Sequence, residues 1–130
     1  MELNSKKIIV NKSAEDLCAF LSDVKNFEQL MPDNISKFEV IENGKFVFAL
    51  KGMPEIALEL KEVVSPTKVK LGAMSDKIPF TLISDIEAID ESSSNATLKF
   101  EGDFNPMMAM MIKGPITKFL ETLASNLQIL

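Results

Sequence analysis

The chain has 130 residues, of which 46% are apolar, and its 14 basic and 19 acidic residues give a net charge of −5. This length predicts one domain over residues 1–130, with a core large enough to fold without a metal or disulfide. The acidic balance excludes a surface that holds a nucleic-acid phosphate backbone.

Four residue types are missing: all the basic residues are lysines, and arginine, histidine, tryptophan and tyrosine are absent. Their absence excludes histidine general bases, imidazole metal ligands and bidentate arginine contacts with carboxylates or phosphates. The acidic residues lack the dense 1, 3, 5 spacing of a calcium-binding loop, and the five glycines are too dispersed for a phosphate-binding loop. We therefore expect no metal and no cofactor.

The single cysteine, the first residues and the longest apolar run bear on where the protein is located. Cys18 is the single cysteine, and its place between Leu17 and Ala19 in a helical pattern favours a small buried side chain over a reactive thiol. The first residues lack the apolar core of a signal peptide, and the longest apolar run, 107–112, is far shorter than the ~20 residues that span a bilayer. The sequence predicts a cytoplasmic protein that does not span a membrane.

The first third of the chain predicts one strand and two short helices. Residues 3–12 carry the apolar pattern of a strand. Ser13 is a candidate N-cap for a helix that runs to Val24, with Asp16 three positions further on. Residues 26–31 can form a second short helix, which Pro32 would end.

From Asn34 onward the apolar residues recur with a period of two, which predicts strands. Six consecutive strands are expected, around residues 38–40, 46–50, 56–60, 69–73, 80–88 and 96–104. Short polar turns separate them, including an Asn-Gly pair at 43–44 and a serine-rich turn at 91–95. Short connections favour an antiparallel meander.

The last segment predicts one long helix that begins at Asn105-Pro106 and ends near Leu127. Its apolar residues form one stripe at helical spacing, and Gly114-Pro115 should interrupt and kink it. The sheet would have one apolar face, which only this helix is long enough to cover.

This order of elements, with Asn26-Phe-Glu-Gln-Leu-Met-Pro32 and Glu101-Gly-Asp-Phe-Asn-Pro-Met-Met108, resembles the START-like (SRPBCC) superfamily over the whole chain. The resemblance is greatest to its small single-domain bacterial members. It implies an α+β helix-grip fold, in which a seven-stranded curved antiparallel sheet wraps a long C-terminal helix, with two short helices after strand one and a hydrophobic cavity inside. The superfamily includes lipid-transfer proteins, polyketide cyclases and a chaperone activator, so the resemblance implies little about function. Cyclase-type relatives commonly use arginine, histidine or tyrosine in the pocket. This chain has none of the three, which favours a noncatalytic role.

Candidate ligand-binding residues follow from strand parity and from the methionines. Alternate strand residues face the helix, and loops two apart share one end of a meander, where the methionines gather. Flexible, polarizable methionine suits a surface that adapts to varied apolar partners. The predicted ligand-binding residues are Met31, Phe48, Met53, Met74, Phe80, Ser84, Phe100, Met108, Met111, Ile112 and Phe119. Two alternatives stay open: a fully packed core, and a methionine plug that closes one end of it.

Three functions are compatible with these residues. The first is noncatalytic binding of a small hydrophobic ligand such as a lipid, isoprenoid or polyketide-like compound in the cavity. The second is a homodimer or protein contact through Met107 and Met110, which the helical pattern places away from the apolar stripe. The third is an enzyme that uses a desolvated carboxylate, with these candidates: Glu62, Asp85, Glu101 and Asp103. The alternative for these acids is a set of solvated surface charges.

Overall fold

The computed structural model describes residues 2–42, 44–52, 55–74 and 80–129. The elements in chain order are β1 (Glu2–Asn4), β2 (Ile8–Val10), α1 (Ala14–Ser22), a 3-10 helix (Val24–Leu30), β3 (Ile35–Glu42), β4 (Lys45–Leu50), β5 (Ile56–Val64), β6 (Lys68–Ala73), β7 (Phe80–Ala88), β8 (Ser94–Gly102) and α2 (Pro106–Gln128).

The strands form one antiparallel sheet in the order β1-β8-β7-β6-β5-β4-β3, and β2 also pairs with β8. Strands β3 to β8 are each paired with the next strand along the chain, so the predicted meander and the α+β helix-grip fold are confirmed. Register shifts occur in the β3–β4 and β5–β6 pairs. Such bulges bend a strand and increase its twist, and they curve the sheet around α2.

The predicted first strand is divided in two, so the sheet has eight strands rather than seven among the described residues. The division lies at Ser5, whose side chain replaces a backbone group in the ladder with β8. The hydroxyl of Ser5 accepts from the backbone N–H of Leu98 at 2.9 Å, and its own N–H donates to the carbonyl of Leu98 at 2.8 Å. One extra residue is thereby accommodated between β1 and β2, which a period-two pattern does not reveal.

Both α-helices begin as the sequence predicts. The hydroxyl of Ser13 accepts from the N–H of Asp16, and the side chain of Asn105 accepts from the N–H of Met108 at 2.8 Å. The helix that follows Asn105 continues through Pro115 to Gln128, so the expected interruption does not occur. Pro115 has no N–H for the carbonyl of Met111, but residues 113–115 are exposed, where water can reach that carbonyl.

The two halves of α2 differ in burial. From Pro106 to Pro115 no residue is fully buried, whereas the second half contributes six buried residues to the core: Ile116, Phe119, Leu120, Leu123, Ala124 and Leu127. Helix α1 and the 3-10 helix add Leu17, Leu21 and Phe27 to the same core. The core therefore lies mainly under the second half of α2, and in the first half partly buried side chains such as Ile112 pack against its edge.

Among the described residues, no helix is long and apolar enough to cross a membrane. Cys18 is a free thiol that is buried in α1 within the main core, as its sequence setting indicates.

Candidate functional site

A cavity of about 300 Å³ lies between the first half of α2 and the concave face of the sheet. The described residues that line it come from β4 to β8, the neighbouring loops and α2. They are Phe48, Gly52, Glu55, Ile56, Ala57, Leu58, Ala73, Phe80, Leu82, Phe100, Phe104, Met108, Met111, Ile112, Ile116 and Phe119.

The cavity lies beside a small residue of the sheet, Ala73, and below the half of α2 that has no fully buried side chain. Ala73 and Leu71 point to the same face of β6, and Leu71 is fully buried in the core. Ala73 presents only a methyl group to the cavity two residues further along the strand. At this end no fully buried side chain of α2 descends to fill the space, since the first of them is Ile116.

Five phenylalanines form the aromatic walls of the cavity. On one side, the rings of Phe48 and Phe119 are parallel within 7° with centroids 5.1 Å apart. On the other side, the ring of Phe100 lies 5.0 Å from Phe80 and 5.9 Å from Phe104, and it is parallel to Phe104 within 2°. Between the two groups, β5 and β6 contribute aliphatic side chains to the floor.

The position of Phe104 depends on Gly102. A Cβ atom on Gly102 would lie 2.5 Å from Cε2 of Phe104 and 2.9 Å from Cβ of Phe80, far inside van der Waals contact. The ring of Phe104 therefore lies directly on the backbone of Gly102, where any other residue would displace it. Strand β8 ends at Gly102, opposite Phe80, whereas the alternating pattern predicts a strand that continues to Phe104.

Glu55 is the one charged side chain in the described lining of the cavity. It is exposed at the rim, where its Oε1 accepts a hydrogen bond from Nζ of Lys37 at 2.9 Å. This hydrogen bond raises the pKa of Lys37 above its ordinary value. The interior beyond Glu55 is apolar, so it can hold a hydrocarbon surface but offers few hydrogen bonds.

Seven of the eleven predicted ligand-binding residues line this cavity: Phe48, Phe80, Phe100, Met108, Met111, Ile112 and Phe119. Met111 is 70% exposed although it lines the cavity, so it lies at the opening. Met74 is half-exposed and outside the lining, and Met53 lies outside the described residues.

Two further predicted site residues lie elsewhere in the core. Ser84 is buried on β7 but does not reach the cavity. Met31 follows Leu30, whose carbonyl accepts from the side chain of Asn126 at 2.8 Å. Asn126 is about 27 Å along α2 from Met108 at 1.5 Å per residue. The 3-10 helix therefore carries Met31 to the far half of α2, which loop counting along a meander does not anticipate.

The residues predicted for contacts and catalysis lie outside the lining. Met107 and Met110 are 75% and 83% exposed. Asp85 is paired with Lys99 at 2.9 Å and Glu62 with Lys68 at 3.6 Å, and none of the four candidate acids lines the cavity. The described residues contain no group of acids and cysteine that could hold a metal ion.

Sequence reasoning missed several lining residues as site residues: Gly52, Glu55, Ile56, Ala57, Leu58, Ala73, Leu82, Phe104 and Ile116. Strand parity already places Ile56, Leu58 and Leu82 on the inner face. Phe104 had a signal too, since a glycine two residues before a phenylalanine leaves room for the ring to fold back. Glu55 has none, because it precedes its strand.

No family model and no curated protein matches the chain. Solved structures do match it over nearly its full length. A START superfamily protein from Mycobacterium smegmatis is 16% identical with a TM-score of 0.75, over 98% of this chain and 94% of that chain. Norcoclaurine synthase from Thalictrum flavum is 16% identical with a TM-score of 0.76, over 99% and 84%. A conserved protein from Geobacillus kaustophilus gives 15% and 0.73, over 99% and 93%. The chain therefore has the START-like fold.

Proposed function

We propose that this START-like chain is a noncatalytic binding protein, which holds a small hydrophobic molecule between the sheet and the first half of α2. The observation that carries the proposal is the apolar cavity of about 300 Å³ beneath a helix whose second half is tightly packed. A structural role alone would be served better by a filled core, because a cavity lowers stability.

The volume limits the size of the ligand. It is at the lower end of the ~300–1,000 Å³ range of ligand pockets and about twice the ~150 Å³ apolar cavity that holds benzene. A compound of two fused rings, or an aliphatic chain of similar bulk, fills it. A longer lipid, isoprenoid or polyketide-like molecule would extend through the opening beside Met111.

The chemistry of the lining indicates how the ligand is held. Apolar surface removed from water contributes about 25 cal/mol per Å². Buried polar groups on the ligand would be destabilising, because the described lining offers hydrogen-bonding side chains only at its rim, at Glu55. The site therefore favours a ligand with an apolar body whose polar group, if it has one, remains at the opening.

The methionines provide the test. With ¹³C-labelled methionine methyl groups, addition of the apolar probe 1-anilinonaphthalene-8-sulfonate should shift the NMR signals of Met108 and Met111, which line the cavity. Signals of Met107 and Met110, one helical turn or less away and exposed, are the matched controls. Single methionine-to-leucine variants assign the signals. Equal shifts at all four positions, or none, would contradict the proposal.

A second candidate function, a contact surface for a second copy of the chain or another protein, is favoured by the exposure of Met107 and Met110. If it operates, Met107→Ser combined with Met110→Ser should abolish association in sedimentation experiments and leave the probe-induced shifts of Met108 intact. Met74→Ser, at a half-exposed methionine outside the cavity lining, is the control. A wild-type chain that is monomeric and captures no partner would contradict this candidate. A cyclase-like enzyme has less support, because the described lining contains a single carboxylate.

A further inference from the structure

The aromatic side chains of the cavity carry an inference about which molecules it admits, and this inference rests on the proposed function. We infer that Phe104, seated on Gly102, is a specificity-determining residue that makes the cavity favour flat aromatic ligands over flexible aliphatic ones.

The phenylalanine rings that border the cavity include two parallel pairs. Phe104 is parallel to Phe100 within 2°, and Phe48 is parallel to Phe119 within 7°, so aromatic surfaces flank the hollow on two sides. Rings of a bound ligand can stack on such faces or contact them edge to face. These arrangements add to the effect of buried area alone, which an aliphatic chain also provides.

Phe104 is less buried than three other rings of this wall. Phe48, Phe100 and Phe119 are almost fully buried and belong to the core. Phe104 is only partly buried, it lies in the connection between β8 and α2, and it borders the cavity. Phe80 is also partly buried, but it belongs to β7, so Phe104 is the ring whose change least disturbs the sheet and the core.

The absence of a side chain at Gly102 determines the position of the Phe104 ring. A methyl group there would overlap the Phe104 ring, with 2.5 and 2.8 Å to its Cε2 and Cζ atoms. Because the ring is partly exposed, the methyl group would drive it toward the cavity or toward solvent, and in either position it leaves its seat beside Phe100. Gly102 therefore maintains the orientation of the aromatic wall.

The experiment compares 2-naphthol with 1-decanol, which have equal carbon numbers and one hydroxyl each, by NMR titration of the Met108 methyl signal. The quantity compared is the ratio of 2-naphthol affinity to 1-decanol affinity, because 1-decanol has the larger apolar surface and each absolute affinity also reflects buried area. Phe104→Leu should lower this ratio about three- to tenfold, the range that one aromatic contact provides, because leucine offers 2-naphthol no ring face but still offers 1-decanol an apolar surface. Phe38→Leu is the matched control, because Phe38 is partly buried and stacks on Phe46 outside the cavity lining.

A second variant tests the seat of the ring. Gly102→Ala should lower the affinity ratio in the same direction as Phe104→Leu, because its methyl group displaces the ring from the backbone of residue 102. The methyl group also comes within 2.9 Å of Cβ of Phe80, so a loss common to both ligands is assigned to that contact. Circular dichroism verifies the fold of each variant, and Phe104→Leu remains informative if the glycine variant unfolds.

The possible outcomes separate the two proposals. An affinity ratio in Phe104→Leu equal to that of the wild type would overturn this inference and leave the proposed function in place. Binding of neither ligand by the folded wild type would overturn the proposed function and this inference with it.

Discussion

Replacing Ala73 by leucine should make the protein more stable and at the same time weaken its binding of the naphthalene probe. Ala73 lines the cavity from β6, where its methyl group faces unfilled space. Leucine adds about three carbons, fewer than the benzene that ~150 Å³ accommodates, so they fit into the 300 Å³ present. At ~0.8 kcal/mol per buried CH₂, less ~0.5–1 kcal/mol of side-chain entropy, the gain is about 1.5 kcal/mol.

The measurements are thermal unfolding and titration with the naphthalene probe. A gain of this size raises the Tm of a chain of this length by about 3–6 °C. Ala96→Leu is the matched control: Ala96 is 1% exposed on β8 and outside the lining. There the added carbons overpack the core, which should destabilise the protein by about 1–3 kcal/mol. If Ala73→Leu were destabilised like the control and bound the probe as tightly as the wild type, the description of the cavity as the ligand site would be refuted.

Three other predictions concern pH and the sheet. Because the chain has no histidine, binding of a neutral ligand should not change between about pH 6 and 8 by calorimetry, and a clear pH dependence would contradict this lining. The N–H of Ser92 and the hydroxyl of Ser93 lower the pKa of Asp90. This stabilisation is present above the ordinary pKa of ~3.9 and is lost as pH falls, so the destabilisation by Asp90→Ala in urea unfolding should shrink from pH 7 to pH ~2; a constant difference would refute the assignment. Ser5→Ala should lower the free energy of unfolding by about 1–3 kcal/mol, because the buried N–H of Leu98 loses its acceptor, and a change below ~0.5 kcal/mol would show that water or a shifted strand replaces it.

Most of the fold could be predicted from periodicity, because the two patterns that distinguish strands from helices are local properties of the sequence. The caps at Ser13 and Asn105 were predictable for the same reason. The bulge at Ser5 was not, since an extra residue in a ladder depends on the partner strand. The path of the 3-10 helix to Asn126 depends on tertiary packing, which no local pattern contains.

The candidate site was predictable only in part, and the limit is a question of volume. Parity indicates which side chains face α2, as it does for Phe48, Phe80 and Phe100. It does not indicate whether those side chains fill the space, because that depends on how far the helix is held from the sheet. Glu55 precedes its strand, so alternation carries no information about it, and Phe104, which the alternation does include, lies beyond the end of β8.

The uneven burial of α2 has a consequence for how a molecule enters. Residues from Ile116 onward anchor the helix in the core, whereas the segment before Pro115 contributes no fully buried residue and has one backbone hydrogen bond fewer at the proline. Segments with few buried contacts open at a small fraction of the cost of global unfolding. The first half of α2 can therefore open while its second half remains packed. A ligand larger than the opening of the cavity can then enter without unfolding of the core.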